Sequence, residues 1–342
     1  MLRPLLLRCA WACMIVGQIA CAPAVQVPAE PATALVWPAG PAEPRILYVR
    51  SFSRPEDLGI RKSVLQRVTE FVFGESDTRM VRPTAVVAVG GMLYVADAGA
   101  LGVHRFDTKD GGYRLLRAEG DVALTSPVGL AVGPGGEVYV TDSALAKVYV
   151  IRPGDDQAAP LGIAGLRQPT GIAYDRTQGR LYVTDTAAHA IVAFDAKGNE
   201  VARLGTRGAG DGEFNYPTLI WCDAAGRLFV TDSLNFRVQV FDASGRFVAK
   251  WGRHGDGTGD AARQKGVATD RHGHVYVVDS LFHAFQIFDD RGEFLLSVGA
   301  MGQDRGEFWL PMGIFIGDDD VIYVADAYNR RVQMFRYLGG KT

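Results

Sequence analysis

The sequence is short of charge imbalance, cysteine and recognisable catalytic motifs, and each shortage excludes something. Its 342 residues carry 36 Lys and Arg against 38 Asp and Glu, a formal net charge of −2. That balance gives no electrostatic reason to expect nucleic acid or an anionic membrane surface as a partner. Four cysteines are present, and only Cys21 and Cys222 lie beyond the first twenty residues. No Gly-x-Ser-x-Gly elbow, His-Glu-x-x-His helix or phosphate loop occurs. The glycine-rich stretch Gly205–Gly212 is followed by no helical pattern and reads as a link. No helical period of useful length runs through residues 82–340. What is abundant is glycine, 41 residues, recurring at turn positions between short apolar runs. With 48% hydrophobic and 22% charged residues the composition is globular, and the length suits one closed all-β unit.

Arg3 and Arg8 precede an apolar stretch, Cys9–Ala20, that ends in small residues. This is the layout of a secretory signal peptide, and the stretch is too short to span a bilayer. The junction Gln18-Ile19-Ala20-Cys21 resembles the lipobox of bacterial lipoproteins, with Gln18 where that motif prefers Leu. The resemblance implies that Cys21 becomes the first mature residue and carries acyl chains. Ala22 in place of Asp points to the outer membrane. Residues 22–44 are rich in Pro and Ala and read as a semi-rigid tether, with Trp37 placed at the lipid interface.

Internal repetition dominates the rest. Six segments align: Leu93–Asp97, Val138–Asp142, Leu181–Asp185, Leu228–Asp232, Val275–Asp279 and Ile322–Asp326. Their final Asp residues are spaced by 45, 43, 47, 47 and 47. Each unit opens on a Pro or its substitute and passes through a Gly-bearing turn to the Tyr-Val-x-Asp run. A polar loop and two further short runs follow. Short β-branched and aromatic runs bounded by Gly, Asn, Asp and Pro are strand-and-turn chemistry. A unit of this size is one blade of a β-propeller. The expected fold is therefore an all-β six-bladed β-propeller. The last unit supplies only three strands, so a strand from the N-terminal side must complete it. Val68–Gly74 is the first candidate and Ile46–Phe52 the second. The expected organisation is signal peptide 1–21, tether 22–44, N-terminal segment with closing strand 45–81, and propeller 82–340.

These residues resemble the NHL-repeat family. The match is fullest at Asp232-Ser-Leu-Asn235-Phe-Arg237-Val-Gln-Val-Phe241 and Asp326-Ala-Tyr-Asn329-Arg-Arg331-Val-Gln-Met-Phe335. Gly212-Glu-Phe214 before Pro217 and Gly306-Glu-Phe308 before Pro311 repeat the linking motif. Blades 1 and 2 lack the Asn and Arg, and blade 5 has Gln264 where Pro opens the strand. The resemblance is specific for fold. The family includes RNA and protein binders, amidating lyases and many exported proteins, and the whole chain is most similar to bacterial exported NHL-repeat lipoproteins.

The six repeated residues Asp97, Asp142, Asp185, Asp232, Asp279 and Asp326 sit where a strand meets a loop. There a carboxylate accepts hydrogen bonds from the following backbone, so a structural role is expected, with Arg237 and Arg331 as partners in two blades. Among the six histidines, His189 and His283 share a repeat offset but belong to non-adjacent blades, and His272 and His274 fall in a turn on the other face. No metal site and no cofactor is expected. Cys222, in an apolar run, reads as a buried small hydrophobe. The residues that follow the opening Pro or its substitute (Thr84, Val128, Thr170, Thr218, Lys265 and Met312) should ring one channel mouth, with Lys265 out of pattern. That face gathers Arg82, Tyr216, Arg263, Lys265, His283, Trp309 and Tyr328, a mixture of cations and aromatics suited to binding. The expected function is a monomeric, envelope-anchored scaffold for a protein, peptide or glycan. It touches the membrane only through its N-terminal lipid, and a metal-dependent lyase or hydrolase is the alternative.

Overall fold

The computed structural model describes residues 34–61 and 78–339. The expected signal peptide, Cys21, most of the expected tether and Val68–Gly74 lie outside the described residues. No helix among the described residues is long and apolar enough to cross a membrane.

The chain forms six antiparallel sheets, five of four strands and one of five. Blade 3 shows the plan: Pro169–Asp175 innermost, then Arg180–Asp185, Ala190–Phe194 and Glu200–Leu204 outermost. Burial follows position in the blade. In blade 4 all five residues of the third strand, Arg237–Phe241, are buried, whereas none of Phe247–Trp251 at the rim is. The middle strands are covered by a neighbouring blade on both faces, so they are apolar throughout instead of alternating. Six apolar clusters fill the seams; Ile191, Phe214, Ile220, Val230 and Phe241 form the one between blades 3 and 4.

The ring is stitched at the innermost strands by one hydrogen bond or more per seam. Thr84 Oγ1 donates to Pro127 O (2.9 Å), Thr141 Oγ1 to Thr170 O (2.5 Å), and Thr170 Oγ1 to Thr218 O (2.6 Å). Ser233 Oγ donates to Gln264 O at 3.0 Å. The last two seams use backbone amides, Gly266 N to Met312 O and Gly313 N to Thr84 O, both 3.0 Å. These contacts require glycine: a Cβ on Gly266 would lie 2.7 Å from Ile314 N, and one on Gly129 would lie 2.4 Å from Thr170 O.

The closing strand is Ile46–Phe52. It pairs antiparallel with Arg331–Tyr337, in register from Ile46↔Tyr337 to Phe52↔Val332. Ile46 and Phe52 bury their side chains in the seam clusters while Val49 and Arg50 face solvent. Val36–Trp37 adds a fifth strand outside it. Trp37 meets Phe335 edge-on at 5.8 Å, and Leu35 O accepts the Tyr48 amide at 2.9 Å. The tether boundary placed at residue 44 is thus corrected: from Leu35 onward the segment is part of the last blade. Trp37 packs on protein, not at a lipid interface, because the outer strand offers it an apolar ring.

Candidate functional site

Pairing of Pro83 with Asp97 and its equivalents in blades 2 to 5, with the Trp309 amide donating to Asp326 in blade 6, puts the inter-blade links and the repeated Asp turns on one face, called here the upper face. All six Asp residues are fully buried. Asp97 accepts four backbone N–H bonds, from Val81, Arg82, Gly99 and Ala100, and a contact from His104 Nε2 at 3.3 Å. Burial pushes its pKa up, but the His104 and backbone donors outweigh that and bring it down to about 2. Asp232 instead holds Arg237 Nε (2.8 Å), Asn235 Nδ2 (2.8 Å) and the Asn215 amide (2.7 Å). Arg237 continues to the carbonyls of Ala209, Gly210 and Glu213, so the pair pins the link between blades. Asp326 and Arg331 repeat this geometry. Burial dominates at Asp326 and raises its pKa despite those donors.

Four residues after each Asp the backbone is left-handed: Leu101, Ala146, His189, Phe236, His283 and Arg330 all have φ between 52° and 56°. His189 Nδ1 accepts the Tyr216 amide and His283 Nδ1 the Leu310 amide, both at 3.2 Å. These imidazoles tie one blade to the opening of the next. Among the described residues no three His, Cys, Asp or Glu side chains converge to hold a metal. His272 and His274 lie elsewhere, with His274 Nδ1 2.7 Å from Asp270 and both rings 5.2 Å from Tyr337.

The upper face carries the predicted cations and aromatics, unequally disposed. Arg82 and Arg263 are exposed, and Tyr216 (41%), Trp309 (39%) and Tyr328 (54%) are open to solvent. Trp309 and Tyr328 are adjacent, ring centroids 6.0 Å apart, with the Tyr328 amide donating to Trp309 O. Lys265 is only half-exposed; burial holds its amine below the ordinary lysine value, with Arg263 adding to the effect and Asp279 opposing it. The threonines of the expected mouth are not free donors either, because Thr84, Thr170 and Thr218 spend their hydroxyls within and between blades.

Sequence reasoning missed two residues. Leu234 and Leu281, 52% and 50% exposed, occupy the offset two after the Asp that Tyr328 fills in blade 6. The same offset holds Gly99, Ala144 and Ala187 in blades 1 to 3. Reading that column across the repeat would have found them. Together Tyr216, Leu234, Leu281, Trp309 and Tyr328 place five exposed apolar side chains over blades 4 to 6, against Val81 and Leu101 at blade 1.

A second concavity opens on the lower face, where the short hairpin turns lie. It occupies about 610 Å³ at the end of the central channel. Cys222 is on its wall, and burial, reinforced by Asp175 and Asp223, pushes the thiol well above its ordinary value. That disfavours a nucleophilic thiolate.

Residues 65–254 match the family described as SMP-30/Gluconolactonase/LRE-like region, and residues 268–340 match one described as 6-bladed beta-propeller. No curated protein matches the sequence. Among solved structures, virginiamycin B lyase from Staphylococcus aureus superposes with TM-score 0.56 at 14% identity, over 75% of this chain and 96% of that one. An auxiliary nutrient binding protein from Bacteroides thetaiotaomicron gives TM-score 0.61 at 13% identity, over 76% and 70%. A nidogen/laminin complex chain gives 0.53 at 19%, over 71% and 84%. At such identities the likeness is one of fold.

Proposed function

We propose that this chain, which belongs to the SMP-30/gluconolactonase/LRE-like family of six-bladed propellers, is a binding scaffold that captures a protein, peptide or glycan on its upper face. The carrying observation is the set of exposed apolar residues that the upper face presents over blades 4 to 6, Tyr216, Leu234, Leu281, Trp309 and Tyr328, flanked by exposed Arg263. Solvent-facing apolar groups gathered in this way mark interaction surfaces, and aromatic and Arg side chains supply most hot spots. The buried carboxylates and His189 and His283 of that face are engaged in holding backbone, which favours binding over acid–base chemistry.

Leu281→Asp with Trp309→Ala is expected to weaken capture from envelope extracts at least tenfold and to leave thermal stability nearly unchanged, since both sites are exposed. Pull-down with purified wild-type and variant protein measures this. Undiminished capture by the double variant, or a stoichiometric metal in the purified protein, would turn the reading toward the lyase or hydrolase alternative.

The scaffold is further proposed to be exported and held at the envelope through acylated Cys21. Cys21→Ser is expected to move the protein from the membrane fraction to the soluble one, or to leave an unprocessed precursor. Labelling with a palmitate analogue that gives no signal in the wild type would reverse this part.

A further inference from the structure

The lower-face cavity has a built interior that the upper-face reading does not use. Trp221 leaves the innermost strand of blade 4 and crosses to its neighbours. Its indole N–H donates to Thr269 Oγ1 of blade 5 at 2.9 Å, and its ring meets Phe315 of blade 6 edge-on, centroids 5.9 Å apart. One hydrogen bond and one ring contact therefore fix the indole within the channel. Both rings are only partly buried although they lie at the centre of the molecule. Leu130 and Tyr174 extend the apolar wall. The innermost strands that wall the cavity approach one another backbone to backbone at Gly129, Gly171, Gly266 and Gly313.

The rim adds charge of both signs. Arg176 of blade 3 and Asp318 of blade 6 line the cavity and are exposed. Blades 3 and 6 are diametrically opposite in a ring of six. Among the described residues neither side chain has an ion-pair partner, whereas the third rim charge, Asp223, is held by Arg227 Nε at 2.7 Å. A cation and an anion without an ion-pair partner thus border the aromatic well from opposite blades. The volume of about 610 Å³ lies within the range that encloses a small organic ligand.

We infer that the lower mouth binds a ring-bearing zwitterion of about the size of an aromatic dipeptide. Its ring would lie against Trp221 and Phe315, and its carboxylate and ammonium would face Arg176 and Asp318. Aromatic rings gain offset or edge-to-face contacts beyond simple burial, which suits a well whose two fixed rings have an open side. The site is separate from the upper-face surface, and either can fail without the other.

Calorimetric titration with phenylalanyl-tyrosine, and with the same dipeptide acetylated and amidated, tests the inference on the full mature chain. Saturable one-to-one binding is expected, at least fivefold tighter for the free dipeptide. Arg176→Ala and Asp318→Ala, both at exposed positions, are expected to abolish that preference, while Trp221→Ala weakens both ligands at least tenfold. Near-ultraviolet circular dichroism checks that the Trp221 variant is folded, and Trp221→Phe serves if it is not. Absence of binding overturns the inference. So does equal affinity for the blocked dipeptide, or binding indifferent to all the substitutions.

Discussion

Deleting residues 1–77 should leave a chain that does not fold cooperatively, and returning residues 45–61 at the other terminus should restore it. The deletion strips Ile46–Phe52 from the last blade and exposes the whole hydrogen-bonding edge of Arg331–Tyr337, an invitation to aggregate. Loss of the buried Ile46 and Phe52 side chains alone removes about 3–6 kcal/mol of apolar burial. The edge contacts of Trp37 and Tyr48 with Phe335 are lost as well. Domain stabilities of roughly 5–15 kcal/mol leave little after such a subtraction. The rescue is geometrically direct, because Ile46 is the register partner of Tyr337 and the Leu338 amide already donates to Arg45 O at 2.8 Å. A short Gly-bearing turn after Leu338 would therefore lead straight into the closing strand as a hairpin. Urea unfolding followed by tryptophan fluorescence reads the result. A deleted chain with an unchanged midpoint would show that the clasp contributes nothing.

The second large effect is expected at Arg237. Arg237→Ala leaves the Asp232 carboxylate buried without its cation and withdraws donors from the carbonyls of Ala209, Gly210 and Glu213. Breaking a buried pair from one side costs about 3–5 kcal/mol, roughly a 10 °C fall in melting temperature for a chain of this class. Arg227→Ala is the matched control. Its partner Asp223 is the same type of carboxylate at 2.7 Å, but the arginine is 38% exposed, and an exposed pair contributes about 0–1 kcal/mol. Chemical denaturation of the two variants side by side should separate them clearly. Equal, small losses would mean that the link loop between blades 3 and 4 carries no strain-bearing bond from Arg237.

The contrast between these two arginines shows what could be read in advance. Arg237 belongs to the repeated Asn-x-Arg-Val-x-x-Phe pattern, five residues after an Asp, so its pairing was legible from spacing. That Gln239 and Gln333 complete the same network, each with an amide on the link carbonyl and on the Asp, was visible only as a repeated letter without a role. The upper-face arc was half legible. Trp309 and Tyr328 stand out as aromatics in links and loops, whereas nothing in the sequence marks Leu234 and Leu281, because exposure is not a property of a residue type.

By itself the sequence determined the number of blades, the plan of each and the structural place of the six Asp residues. Those features are local and repeated: a turn that needs a carboxylate at one end of a strand needs it in every copy. Which N-terminal run closes the ring was not determined, since Val68–Gly74 and Ile46–Phe52 both read as strands and pairing is decided by a partner almost three hundred residues away. The tertiary structure also decided that the threonines of the inner strands stitch seams, that Lys265 is half-buried and that Trp221 crosses the channel to Thr269 and Phe315. Each of these depends on how closely one blade approaches the next. That distance is set by ring closure and by glycines whose missing side chains let backbones touch, and no single repeat contains it.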